Sequence, residues 1–298
     1  MERTLSAEHL IYDFGPEHAP VFSVDFGESF WVESPDCYGG QIRSSRDLRP
    51  HIDISRMDAS TGPIAVRGAV PGEAIQVYVE DILCGSQGIM VTSPGLGVLG
   101  EKITEPDTKI LPVYDGMIHF SEKIKIPLRE PMIGVLGVAP EKEAVHCAVP
   151  GDHGGNMDTK DVKRSNSVYF PVFVEGANVA LGDLHANMGD GELSGTGVEI
   201  AGKVKLRITR ERRPLRMPLV KSPEEYMVIA SDTTFDKTVK KAVAYGVELL
   251  QQAQDLSFPD AYRLVSALGD IRIGQVVNEK ITLRLCFPRW CLDPYFRE

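Results

Sequence analysis

Over roughly the first two thirds of the chain, apolar residues recur in short alternating runs. Ile75, Val77 and Val79 are interleaved with Gln76, Tyr78 and Glu80, and Val204, Leu206 and Ile208 with Lys205 and Arg207. A period of two puts one set of side chains on one face of an extended backbone, so both runs predict strands with one buried face. Asn178 to Leu181, Val135 to Val138 and Ser167 to Val174 read as further strands. Pro171 has no N–H to give to a ladder, which predicts an edge or bent strand for the last of these. Pro71-Gly72, Pro94-Gly95-Leu96-Gly97, Asp115-Gly116, Pro150-Gly151 and Gly189-Asp190-Gly191 punctuate the region as turns. Many short strands between such turns predict a mainly β fold, a sandwich or barrel, and not a wound parallel sheet.

The pattern changes in the last third. Ser231-Asp232-Thr233-Thr234 supplies helix-capping oxygens, and Val239, Ala242, Val243, Gly246, Val247, Leu249 and Leu250 follow at helical spacing. A second helix is predicted from Phe258 to Leu268, with Ser257 as its cap, Pro259 early and Gly269 ending it. Val276 to Leu285 then returns to strand. The expected division is a β-rich region over 1–213 and an α/β region over 214–298 packed on it, with a soft boundary at Pro214–Pro223. The basic run Arg210 to Arg213 before that boundary reads as a solvated charged face.

Composition narrows the class. The 298 residues are 43% hydrophobic and 25% charged, which fits a globular protein and excludes a disordered or fibrous chain. A formal net charge of −10 opposes phosphate backbones and anionic lipid, so neither nucleic acid nor membrane is an expected partner. The apolar run Val168 to Val174 falls far short of the ~20 residues of a membrane span. Glu2, Arg3, Glu8 and His9 break up the first residues in a way no secretory leader does. Five scattered cysteines without paired spacing predict reduced thiols and a cytoplasmic location.

Two of the seven histidines lie in segments dense in glycine and carboxylate, Pro150 to Asp158 and Gly182 to Glu192. In the second, Asp183 and His185 stand two apart after a predicted strand and so share a face. That is half of a zinc-type coordination sphere, and Gly189 and Gly191 let the chain turn Asp190 or Glu192 toward it. In the first, Asp152 and His153 sit in a glycine-bracketed loop where both side chains can converge, and its backbone N–H groups can approach an oxyanion. Phosphate-loop and nucleophile-elbow motifs are missing. His9, His18, His51, His119 and His146 read as structural or surface residues.

The runs PGDHGGNMD (Pro150 to Asp158) and GDLHANMGDGE (Gly182 to Glu192) resemble the two most distinctive motifs of the acetamidase/formamidase family. Trp31 to Ile42, Thr61 to Glu73 and Tyr169 to Val172 match it in the same order. The resemblance covers about Val21 to Pro288. It implies hydrolysis of a short aliphatic amide such as formamide or acetamide, a jelly-roll-like β-sandwich with barrel-like and α/β parts, and a homodimer. It also implies a divalent metal near the two motifs, zinc above all, with calcium as an alternative. Met188 stands where the resemblance calls for glutamine, which bears on the substrate pocket.

On that reading Asp36, His153, Asp183 and His185 supply most of the metal shell, with Asp152 in reserve. Glu192 is the general base and then acid, with Glu33 and Glu199 as substitutes, and Asn156, Gly154 and Gly155 hold the substrate oxygen. Asp158 and Asp161 are candidates for a second, hard ion such as calcium. Asp36 has a simpler role open to it, starting the turn at Tyr38-Gly39-Gly40. Two rivals stand beside this reading: an amidase with Cys147 as nucleophile, and a non-enzymatic β-sandwich whose metal is purely structural.

Overall fold

A computed structural model describes residues 3–296. The alternating runs fold as predicted but belong to much longer strands. Ala74–Thr92 runs antiparallel to Glu199–Glu211 along most of its length, and the latter also pairs with Ser29–Ser34. Ile75, Val77, Val79, Val204, Leu206 and Ile208 are all fully buried, while Gln76, Tyr78, Glu80, Lys205 and Arg207 are not. They meet Phe30, Val32, Leu181 and Leu184 in the larger of the hydrophobic cores. Apart from the short pair Asp13–Phe14 with Val145–His146, the strands form one connected, mostly antiparallel network that does not close into a barrel. The fold is mainly β, with its longer helices confined to the C-terminal part.

Ser167–Pro171 is a central strand. Ala74–Thr92 flanks it on one side and Leu219–Lys221 on the other, and all five of its residues are buried. Pro171 is tolerated because it is the last residue of the ladder, which corrects the edge-strand expectation. From there the sheet continues through Glu225–Asp232 to Ile281–Pro288 and Asp270–Gln275. Helix α1 (Phe235–Gln254) starts at Thr234, whose side chain accepts the Lys237 N–H, and α2 (Phe258–Leu268) starts at Ser257 in the same way. Ala242, Tyr245, Leu249 and Leu250 of α1 pack with Val228, Leu285 and Phe287 into a second core. The return strand begins at Ile281, later than predicted, because residues 276–280 form a loop.

The part of the fold that positions the chemistry is the strand Met132–Gly137. Gly154–Asn156 lies against one edge and Val179–His185 against the other, which brings both histidine-bearing segments onto one strand.

Candidate active site

Four chain segments converge where Val179–His185 meets Glu199–Glu211. The ladder sets Glu199 directly opposite His185. Gly134 lies opposite the Asp183 segment, and its carbonyl takes the N–H groups of Met157 (3.1 Å) and Asp158 (3.2 Å), which draws Asp158 in. A Cβ at Gly134 would overlap the Asp183 carboxylate and fall 2.6 Å from Asp158 Oδ1, so only glycine lets these two carboxylates meet across the strand. Glu192 arrives on the turn after Gly191.

His185 is the hub. Its Nε2 lies 3.1 Å from Glu199 Oε2, 3.3 Å from Asp183 Oδ1 and 3.9 Å from Asp158 Oδ1. Two donor groups result, Cys37–Asp183–Glu199 and Asp158–His185–Glu192, each with its ligand atoms within 4.8 Å of one another and every member buried. Every member except His185 lines a cavity of about 300 Å³, which Tyr38, Asn156, Thr196 and Asn278 also line. Asp58, Asp158, Asp183, Glu192, Glu199 and Glu279 put six carboxyls in its wall against the single guanidinium of Arg49.

Asp158 Oδ1, Asp183 Oδ1, His185 Nε2, Glu192 Oε2 and Glu199 Oε2 are buried without a well-aligned hydrogen bond, their close approaches being to one another. Buried polar atoms are almost always paired, and imidazole, carboxylate and thiol together are what a divalent cation binds, so the residues fit a metal. Burial, reinforced by Glu199, pushes the Asp183 carboxyl up to about 6; burial and Asp183 do the same for Asp158. Glu192 rises well above the carboxylate range through burial and the charge of Asp158. Burial opposes charge on His185, but Glu199 and Asp183 outweigh it and hold the imidazole well above its ordinary value. Asp58, Asp158, Asp183 and Glu192 all adopt left-handed backbone, with φ of 55°, 38°, 53° and 49°. Such conformations cost about 1–3 kcal/mol each and gather where a site imposes them.

The chain matches the profile of the Acetamidase/Formamidase family over residues 4–148 and 141–277. It belongs to the acetamidase/formamidase family. A recombinant predicted acetamidase/formamidase from Thermoanaerobacter tengcongensis is 43% identical, with a TM-score of 0.96 over 100% of this chain and 99% of that one. An acetamidase from Bacillus halodurans is 39% identical, with a TM-score of 0.93 over 96% and 97%. The formamidase of Methylophilus methylotrophus is 26% identical over 70% of this chain and 65% of its own. The chain spans 64–65% of the length of the curated relatives it matches.

Within this family member, Asp183, His185, Glu192, Glu199 and Asn156 stand at the cavity or in its donor groups. The structure does not bring His153 to His185. The His153 carbonyl takes the Val138 N–H, whereas His185 pairs with Met132, six residues back along that strand, or about 20 Å of extended chain. The His153 ring lies edge-on to Phe14, and burial pushes its pKa down to about 4, with Lys280 adding to the effect. Asp152 faces outward and pairs with Lys241 at 2.6 Å. Asp36 takes the simpler role: its carboxylate accepts the N–H groups of Tyr38 (3.0 Å) and Gly40 (3.2 Å), a turn that presents Cys37. Glu33 sits on Ser29–Ser34 opposite Lys203, outside the donor groups. Gly154 gives its N–H to Gly151 (3.1 Å), and a Cβ there would overlap the Leu136 carbonyl, so close packing requires its glycine. Gly155, at φ +81°, is packed in the same way against the Val149 carbonyl. Asp158 joins the His185 group, but Asp161 pairs with Arg284, so the two do not form a separate hard-ion site.

Cys147 is fully buried, with Sγ 3.7 Å from the Ile11 carbonyl, and burial pushes its thiol up to about 12. It has the features of an inert core thiol and not of a nucleophile. Cys147→Ala is therefore expected to hold kcat within about twofold of the parent, as an ammonia-release assay will show. Cys37, Asp58 and Asn278 went unflagged by sequence reasoning. Cys37 was adjacent to a flagged residue, whereas Asn278 lies in the C-terminal region and carried no signal.

Proposed function

We propose that this protein hydrolyses short aliphatic amides, formamide or acetamide, to a carboxylate and ammonia at the cavity around His185. The observation that carries the reading is the set of unpartnered buried donors around that histidine, opening onto a cavity sized for a small molecule. A wall so rich in carboxyl groups disfavours anionic substrates and leaves neutral amides.

Asp158, Asp183, His185 and Glu199 would hold a divalent cation, with Cys37 beside them. Thiol and imidazole among the donors favour zinc over calcium. A bound cation there supplies a lowered water pKa and polarises the amide carbonyl. Glu192 is the most exposed of these acids, at 7% against 1–3%, and its raised pKa favours holding a proton, as a proton carrier must. It takes the proton of a water molecule as the oxygen adds to the carbonyl carbon, then returns it to the nitrogen as the C–N bond breaks. Asn156, whose Oδ1 is unpartnered, orients the amide NH2.

Residues 1–213 carry the donor groups on this reading, and 214–298 close the cavity with Asn278. Five free cysteines fit a reducing cytoplasm, and no helix among the described residues is long and apolar enough to cross a membrane. Exposed Phe258, Tyr262, Ile271 and Ile273 offer a surface on which a homodimer forms.

Ammonia release from formamide, acetamide and a lactam, before and after chelation, tests the proposal. We expect activity on the linear amides to fall more than about a hundredfold on chelation and to return with zinc. Full activity after complete cation removal would discard the metal role.

A further inference from the structure

The C-terminal strands reach the site from behind. Arg284, on Ile281–Pro288, is fully buried. Its guanidinium donates to Asp161 Oδ2, to Asp190 Oδ1 at 2.6 Å and to the Ile273 carbonyl at 2.9 Å. Asp161 follows Asp158 by one helical turn's worth of chain, and Asp190 stands just before Gly191 and Glu192. The same turn is stitched to the hairpin by the Gly191 N–H on the Gly274 carbonyl (2.7 Å) and the Val276 N–H on the Gly191 carbonyl (3.2 Å). One side chain thus grips two of the segments that deliver acids to the cluster around His185, those of Asp158 and Glu192.

Stability alone does not call for an arginine here. A buried ion pair repays its desolvation poorly, and replacing all of its members together by well-packed apolar residues is often neutral or stabilising. An apolar residue cannot, however, hold two carboxylates from separate segments at a set spacing. A guanidinium is planar, permanently charged and presents its donors in a rigid fork.

We infer that Arg284 is a positioning residue: through Asp161 and Asp190 it sets the placement of Asp158 relative to Glu192, and so aims the proton-carrying carboxylate at the donor cluster. This rests on the reading of the cavity as the amidase site. A misplacement of about 1 Å at a reacting group costs on the order of a hundredfold in rate, so the contribution is large although Arg284 touches no substrate.

The test compares the full-length protein with Arg284→Met, Arg284→Lys and Asp190→Asn, and with His185→Ala as a control on the site itself. Asp190 also pairs with Lys160 at 3.0 Å and is partly exposed, so Asp190→Asn is the variant least disruptive to folding. Four quantities are measured: kcat and KM for formamide, thermal unfolding, and affinity for Zn2+ alone by calorimetry. We expect Arg284→Met to unfold below the parent temperature, because Asp161 and Asp190 lose their shared partner, with kcat of the folded protein lowered about a hundredfold and KM within about threefold. Arg284→Lys should recover part of that loss, Asp190→Asn should lose about tenfold in kcat, and Zn2+ affinity should fall about tenfold or more in Arg284→Met. Parental kcat and Zn2+ affinity in Asp190→Asn, with His185→Ala inactive, overturn the inference, and this holds even where Arg284→Met does not fold. An active His185→Ala instead overturns the site reading, and the inference with it.

Discussion

Replacing Glu192 with glutamine is expected to lower kcat for formamide and acetamide by roughly a hundredfold to ten-thousandfold, the range a positioned proton carrier supplies. The substitution keeps volume and shape, and the amide cannot take up or return a proton. Glu192 Oε2 has no hydrogen-bond partner, and its carboxyl is already pushed toward the protonated form by burial and by Asp158. The neutral amide spares the fold the cost of holding a buried charge beside Asp158, so the unfolding temperature should hold or rise. Loss of rate without loss of fold separates this residue from one that merely supports the cavity. A kcat within threefold of the parent would return the role to Glu199 or to another group.

Stripping the protein of cations is expected to destabilise it at neutral pH far more than at pH 5. Asp158 and Asp183 titrate near 6 in the fold against an ordinary 3.8, so between those values the native state binds more protons than the unfolded chain. Stability of the cation-free protein therefore falls as pH rises through that window. His185 acts in the same direction: its pKa is raised, so its stabilising charge is fully present below the unfolded value and is lost as pH climbs through the folded one. A divalent cation binds the deprotonated donors and cancels the penalty, so its affinity should rise across the same range. Thermal unfolding at pH 5 and 7.5, with and without zinc, checks both statements. A cation-free protein that melts at the same temperature at both pH values would falsify the charge balance described for the cluster.

Alternation and capping were readable because each is a local property. Ile75, Val77, Val79 and their counterparts at 204–208 needed only the period of two, and Thr234 and Ser257 needed only a hydroxyl before an apolar stripe. Strand lengths were not readable: the 19 residues of Ala74–Thr92 pass through Cys84, Gly85 and Gln87, where no alternation survives, because pairing on distant strands holds them straight. Asp183, His185 and Glu192 announced themselves through glycine-rich context. His153 stands in the same kind of context, but its carbonyl pairs with Val138, at the other end of Met132–Gly137 from the Met132 that pairs with His185. Asn278 donates to Asp158 Oδ2 at 2.8 Å from a loop that Gln275 shapes, a relation across 120 residues of chain that no local pattern encodes.

The left-handed backbone at Asp58, Asp158, Asp183 and Glu192 sets heat tolerance and turnover against each other. Glycine or asparagine at any of these positions would relax the main chain and, in the same stroke, discard an acid. A screen that rewards thermal survival alone should therefore drift toward rugged, inert descendants, with those four codons among the first to change.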